Sequence, residues 1–188
     1  GMSSSPDMNW RIKELQKKSI VSFSDSHSFW PWRLGREATI FDFPELSYDN
    51  LIKAIRTGTG LKETIETTPE YGKYHYDGNR NCNFSCSPKE TAKLNGICPI
   101  CKKELTIGVD NRVEKLAKEA RGYKPSNFKP YRLLLPLHEL IAFDFGTSLL
   151  SSKKVWKTYN LLIEKFGNEN NILLDVSEED FLKSGIDE

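Results

Sequence analysis

Four cysteines, Cys82, Cys86, Cys98 and Cys101, constrain this chain more than any other feature, and they are its only cysteines. They fall as a Cys-x3-Cys pair and a Cys-x2-Cys pair separated by eleven residues. That is the spacing by which two short turns aim four thiolates at one tetrahedral Zn²⁺, and Cys98-Pro99-Ile100-Cys101 has the form of a tight knuckle. Disulfides are the competing reading. Neither close pair would close the long loop for which a bridge restricts the unfolded chain most. The opening Gly1-Met2-Ser3-Ser4-Ser5 reads as a tag remnant rather than a signal peptide. The expectation is a structural zinc held by all four cysteines.

A chain of 188 residues can form one ordinary domain or two small ones, so a metal is needed only where a segment is too short to bury its own core. No apolar run approaches the length of a membrane span. The expectation is a cytoplasmic protein with no membrane partner. The net charge of +1 gives no general argument for nucleic acid. The charge is unevenly placed, however: residues 102–132 carry a net +5 and residues 168–188 a net −6. A basic middle fits either a phosphate-facing surface or a solvated helix face.

In chain order, Ser19-Ile20-Val21-Ser22-Phe23 reads as a strand by its β-branched and aromatic residues. It runs into Ser24-Asp25-Ser26-His27-Ser28. If the strand continues, Asp25 and His27 leave the same face, as half of a metal or phosphoester site. The alternative is that Asp25 caps a turn and His27 hydrogen-bonds to it. Phe29 to Glu37 interleaves Trp30 and Trp32 with Arg33 and Arg36, which suits stacked bases and phosphates or a loop pinned to a core by its tryptophans. A second strand is expected over 38–43, a helix capped by Ser47 over 48–56, and a third strand over 62–68.

The loop 69–81 is dense in Tyr, Gly and polar residues. Tyr74, His75, Tyr76 and Arg80 are its candidate stacking and recognition groups. Ser87-Pro88-Lys89-Glu90 is a capping box with proline at the first helical position, so a short helix to Leu94 spans the gap between the cysteine pairs. A strand is expected over 102–109, a helix capped by Asp110 over 111–120, and a linker over 122–130. The last third reads as helical: one helix beginning at Pro136, one over 152–166 stopped by Gly167, and one opened by Ser177. His138 reads as a hydrogen-bonded histidine rather than a ligand.

Several stretches together resemble one family. Met8-Asn9-Trp10-Arg11, Ser24 to Ser28 followed by Leu34-Gly35-Arg36-Glu37, Tyr74-His75-Tyr76-Asp77-Gly78 into Arg80-Asn81-Cys82, and Cys98 to Cys101 with Leu105-Thr106-Ile107-Gly108-Val109 are similar to endonuclease Q and its bacterial relatives. Those proteins join a polymerase-and-histidinol-phosphatase (PHP) metallophosphoesterase domain to a cysteine zinc module and helical segments, and nick DNA on the 5′ side of deaminated or damaged bases.

The resemblance implies an α+β chain in three parts: a C-terminal remnant of a PHP-like α/β domain over 1–68, a four-cysteine zinc module over 69–122, and a helical segment over 123–188. It implies that Asp25 and His27 match the last metal-binding motif of a PHP domain. A histidine often stands in the family where this chain has Asn79. The earlier PHP motifs are expected upstream of residue 1. A divalent cluster of Zn, Mn or Mg therefore forms only if other sequence supplies the missing ligands, because clamping both the attacking and the leaving oxygen takes more than two side chains. The expected partner is DNA, contacted through Arg33, Arg36, Tyr74, His75, Tyr76 and Arg80. The alternative is a non-catalytic zinc-stabilised module that binds nucleic acid or protein.

Overall fold

The structure is a computed structural model that describes residues 2–185; Gly1 and residues 186–188, which include Asp187 and Glu188 of the acidic tail, lie outside the described residues. The chain separates into two compact units. One comprises residues 2–24 with Glu37–Leu133, the other Asp25–Arg36 with residues 134–185. This grouping differs from a division at 68 and 122, because the loop carrying Asp25 and His27 belongs with the C-terminal helices.

In the first unit, β1 (Ala38–Phe41) pairs antiparallel with β2 (Leu61–Glu66), and the intervening helix α2 (Tyr48–Thr57) is capped as expected by Ser47, whose hydroxyl accepts from the Asn50 N–H. Gly58 ends α2 in the left-handed conformation at φ 75°. At Gly60 the φ is 81° and a Cβ would lie 3.0 Å from the Phe43 ring, so both backbone and space require glycine. Ala54, Leu61 and Ile65 are buried here.

Two expectations fail in this sheet. Residues 19–23 form no strand: the Thr39 hydroxyl accepts from the Ser22 N–H and donates to the Ser22 carbonyl, both at 2.8 Å, so one side chain takes the place of a ladder. The third strand is instead β5 (Tyr131–Leu133), parallel to β2, drawn from a stretch read as the approach to a helix. Leu133 to Leu135 sit before Pro136, and proline disfavours helix in the residue ahead of it.

The cysteine region belongs to this same unit. Here β3 (Asp77–Asn79) and β4 (Phe84–Cys86) form a small antiparallel hairpin where the sequence reads as loop. Helix α3 (Pro88–Lys93) carries the expected complete capping box between Ser87 and Glu90. Residues 102–108 make only single bridges, Gly78 with Thr106 and Ile97 with Glu104, rather than a strand. Helix α4 (Val109–Leu116) then starts after Gly108 with no side-chain cap, so Asp110 is not the cap; it lies 3.5 Å from Arg121. The short helix α1 (Pro6–Trp10) is tied to α4 by Arg11, which donates from both guanidinium nitrogens to the Glu114 carboxylate at 2.9 and 3.0 Å.

The second unit is helical: α5 (Leu137–Asp144), α6 (Lys153–Phe166), α7 (Glu169–Leu174) and α8 (Glu178–Leu182). Ser152, Asn168 and Ser177 each cap the helix that follows through an N–H three residues on. The helix capped by Asn168 has no counterpart in the sequence reading, because its six residues are too few to show a period. Leu137, Ile141, Ala142, Val155, Leu162 and Ile172 form one apolar core.

Beside that core is an aromatic cluster. Trp30 and Trp32 stack at 4.9 Å and 8°, while Trp32, Trp156 and Tyr159 surround the His138 ring. His138 is fully buried, and neither of its ring nitrogens has a hydrogen-bond partner, which corrects the expectation of a hydrogen-bonded histidine. Burial pushes its pKa down to about 4.

Candidate metal centre and nucleic-acid interface

Three of the four cysteines converge. The sulfurs of Cys82, Cys98 and Cys101 all lie within 4.8 Å of one another. Cys82 closes the turn Arg80–Cys82, and Asn83 follows it at φ 47°. The other two sit on a knuckle held by the Lys102 N–H donating to the Cys98 carbonyl and the Cys98 N–H donating to the Lys103 carbonyl. Cys86, expected as the fourth ligand, packs in the same apolar cluster but stands apart from the three sulfurs. Its buried sulfur is 3.2 Å from the Thr91 hydroxyl. The polar group beside the three sulfurs is Asn79, whose amide nitrogen donates to Cys101 Sγ at 3.4 Å.

The donor set fits a soft divalent ion at three vertices. Hydrogen bonding with the Cys101 thiol pushes the Cys82 thiol up to about 11, while hydrogen bonds from the backbone N–H of Cys101 and Ile100 pull the Cys98 thiol down. Sulfurs this close cannot all ionise by themselves, and Zn²⁺ neutralises that repulsion with bonds of about 2.3 Å. What the cysteine pattern did not reveal is the carboxylate that supports the site. Asp77, fully buried, accepts from the Thr91 hydroxyl, the Gly108 N–H and the Asn111 amide, tying the hairpin to α3 and to the start of α4. The same Thr91 hydroxyl engages Cys86, so the fourth cysteine belongs to Asp77's network. An aspartate inside a Tyr-Asp-Gly turn carries no signal of burial in sequence.

The hairpin presents Tyr74, Tyr76 and Arg80 along a cleft of about 730 Å³ that also includes Lys73, Asn83 and Phe84. Tyr74 is 56 % and Tyr76 42 % exposed. Lys73 Nζ and the Arg80 guanidinium lie 4.9 and 5.4 Å from the Tyr74 ring, and hydrogen bonds from Lys73 and then Arg80 hold its phenol below the ordinary value. A flat ring flanked by two cations suits a base with its phosphate. His75, expected on this face, is elsewhere: its ring is 5 % exposed, with Nδ1 3.0 Å from the Ser3 carbonyl. Gly108 lets the backbone of Tyr76 pass, since a Cβ there would lie 2.4 Å from the Tyr76 carbonyl.

In the other unit, Asp25 and His27 are neighbours at 3.6 Å, with side chains 89 % and 88 % exposed. They are not on a strand, and Asp25 adopts a left-handed φ of 44°. Among the described residues, no third His, Cys, Asp or Glu joins them in a metal-sized group. Arg33 and Arg36 are half-buried in the same loop.

A family model described as the MJ0043 C-terminal domain matches residues 136–186. The uncharacterized protein MJ0043 of Methanocaldococcus jannaschii is 30 % identical over 188 residues, spanning 97 % of this chain and 24 % of the relative. The crystal structure of the lesion-specific endonuclease PfuEndoQ from Pyrococcus furiosus superposes with a TM-score of 0.85 at 31 % identity, covering 99 % of this chain and 46 % of that one. The structure of endonuclease Q with a 27-mer duplex substrate carrying an abasic lesion at the active site gives a TM-score of 0.84 at 30 % identity, covering 97 % and 46 %. The chain thus spans about a quarter of the curated relative and under half of the two solved chains. No described helix is long and apolar enough to cross a membrane. From sequence identity of 30–31 % and backbone agreement over nearly its whole length, the chain is a structural homologue of part of the endonuclease Q-family nucleases.

Proposed function

We propose that this chain is the DNA-engaging portion of a metal-dependent repair endonuclease that acts at deaminated or otherwise damaged bases. The carrying observation is the Tyr74, Tyr76 and Arg80 face on the hairpin that bears the three-cysteine cluster, in a fold matching one solved with a lesion-bearing duplex. Cys82, Cys98 and Cys101 would hold a structural zinc that fixes the hairpin's shape. The exposed tyrosines supply stacking for an unpaired base, and Lys73 and Arg80 supply charge for its phosphate. Asp25 and His27 supply one oxygen and one nitrogen toward a catalytic divalent cluster. Hydrolysis by that cluster needs further ligands, which the described residues do not place beside them.

The test uses duplexes with and without a uracil or an abasic site, in Mg²⁺ or Mn²⁺. This chain is expected to bind the lesion duplex with a steep salt dependence and to leave it uncut. Tyr74→Ala and Arg80→Ala each weaken binding about tenfold, in line with the loss of one stacked base or charged contact. Absence of DNA binding by the unsubstituted chain at low salt would overturn the reading. The extreme exposure of Asp25 and His27 favours a second reading, a zinc-stabilised binding module without chemistry. Site-specific nicking by this chain alone would exclude that reading.

A further inference from the structure

Away from the tyrosine face, the first unit contains a second cavity of about 400 Å³. Its walls are the segment 16–20, the end of α2 at Arg56 to Thr59, and the loop 125–129. Four cations line it, Lys17, Lys18, Arg56 and Lys129, together with the hydroxyls or amides of Ser19, Thr59, Ser126 and Asn127, and no carboxylate does. Among the described residues, none of these four cations takes part in an ion pair. The side chains converge at the end of α2: a Cβ on Gly58 would lie 3.6 Å from Lys129 Cε and 3.8 Å from Ser19 Oγ. One flank is aromatic. Phe128, partly exposed, packs edge-on against buried Trp10 at 5.6 Å.

We propose that this cavity is a phosphate-binding site for a phosphate ester whose adjoining ring lies against Phe128. The opposing term is the helix dipole, since the C-terminal end of α2 presents roughly half a negative charge to the cavity. Four full positive charges without a carboxylate outweigh it, and unpaired lysines give up no partner when an anion enters. A phosphate seated here takes charge from the lysines and Arg56 and hydrogen bonds from Ser126 and Asn127. A metal cation is excluded by the same charges. The phosphate comes from a nucleic-acid strand, a source that rests on the reading given under Proposed function; a free nucleotide has the same chemistry.

The experiment follows the amide and ring resonances of Phe128 and its neighbours in the full chain. Inorganic phosphate, deoxyadenosine 5′-monophosphate and a single strand of about 12 nucleotides are added in turn. A paired variant, Lys18→Ser with Lys129→Ser, removes two exposed charges. A second pair, Lys89→Ser with Lys93→Ser on α3, removes the same net charge elsewhere. Expected are saturable shifts confined to the cavity, affinity for the strand about tenfold lower in the first pair only, and a salt slope reduced by about 1.4, the value for two phosphate contacts on a single strand. Shifts with the mononucleotide but not the strand would retain the phosphate site and assign it to a free nucleotide. If neither mononucleotide nor phosphate shifts these resonances, and the two paired variants bind the strand alike, the cavity is not a phosphate site. That outcome leaves DNA binding through Tyr74 and Arg80 standing, so the two proposals fail separately.

Discussion

The sulfur of Cys86 lies 3.2 Å from the hydroxyl of Thr91, and Thr91 in turn donates to the buried carboxylate of Asp77. That arrangement sets Cys86 apart from the three other cysteines. Cys82, Cys98 and Cys101 form a metal-sized sulfur cluster, while Cys86 fills the apolar and hydroxyl-lined space beneath it.

The division predicts unequal effects on metal content. Zinc measured by mass spectrometry in the purified chain is expected near one per molecule. Cys98→Ser is expected to lose it, with melting of residues 69 to 109 before the rest, because binding energy in such modules is folding energy. Cys86→Ser keeps the metal and costs only packing. Equal loss of zinc in the two variants would return Cys86 to the ligand set.

Asp77 accepts three hydrogen bonds with no access to solvent. Truncation in Asp77→Ala leaves three donors buried and unpaired at roughly 1 kcal/mol or more each, so a destabilisation of about 3 kcal/mol is expected in denaturant titrations. Asp110→Ala, which removes the 3.5 Å pairing with an exposed Arg121, is expected to cost under about 1 kcal/mol. Similar midpoints for the two variants would show that the Asp77 network adds nothing to stability.

Glu114 gives a pH signature. Hydrogen bonds from Arg11 and then Arg121 hold its carboxyl down at about 2, against 4.5 for an unperturbed glutamate. A depressed folded pKa means that the contribution is complete above pH 4.5 and is lost as pH falls toward 2. Because Glu114 is partly solvated, the loss is about 1–2 kcal/mol rather than the full linkage value. In Glu114→Gln this part of the acid limb is expected to flatten. An unchanged limb in urea melts between pH 4.5 and 2 would remove the pair from the account of acid stability.

His138 acts at higher pH. Burial among Trp32, Trp156 and Tyr159 lowers its pKa to about 4 from 6.5. The unfolded chain therefore binds a proton between those values that the folded chain does not, and stability falls as pH drops from 6.5 toward 4. The linkage is about 2–3 kcal/mol at the lower end. His138→Phe retains the ring packing and removes two unpaired nitrogens, so it is expected to melt higher than the parent at about pH 5 and to lose less stability across this window than the parent does. A His138→Phe variant that loses as much stability as the parent from pH 6.5 to 4 contradicts the burial argument.

Local chemistry was legible in the sequence wherever a few adjacent residues settle the outcome. Ser47, Ser87 with Glu90, Ser152 and Ser177 marked helix starts, because a cap and the N–H that donates to it lie within one turn. The Cys98 to Cys101 knuckle was legible for the same reason, and so was the pairing of Asp25 with His27 as neighbours.

The structure decided what depends on residues far apart in the chain. Whether Cys86 points to a metal or to Thr91 is set by Asp77, nine residues upstream, and by Asn111 on α4. Residues 19–23 lose their strand to one hydroxyl on Thr39, and 131–133 gain one because β2 presents an open edge. His75 turns inward to the Ser3 carbonyl while its neighbours Tyr74 and Tyr76 face out, a choice identical in sequence for all three. Spacing specifies which donors can meet, but burial and competition among hydrogen-bond partners select which of them do.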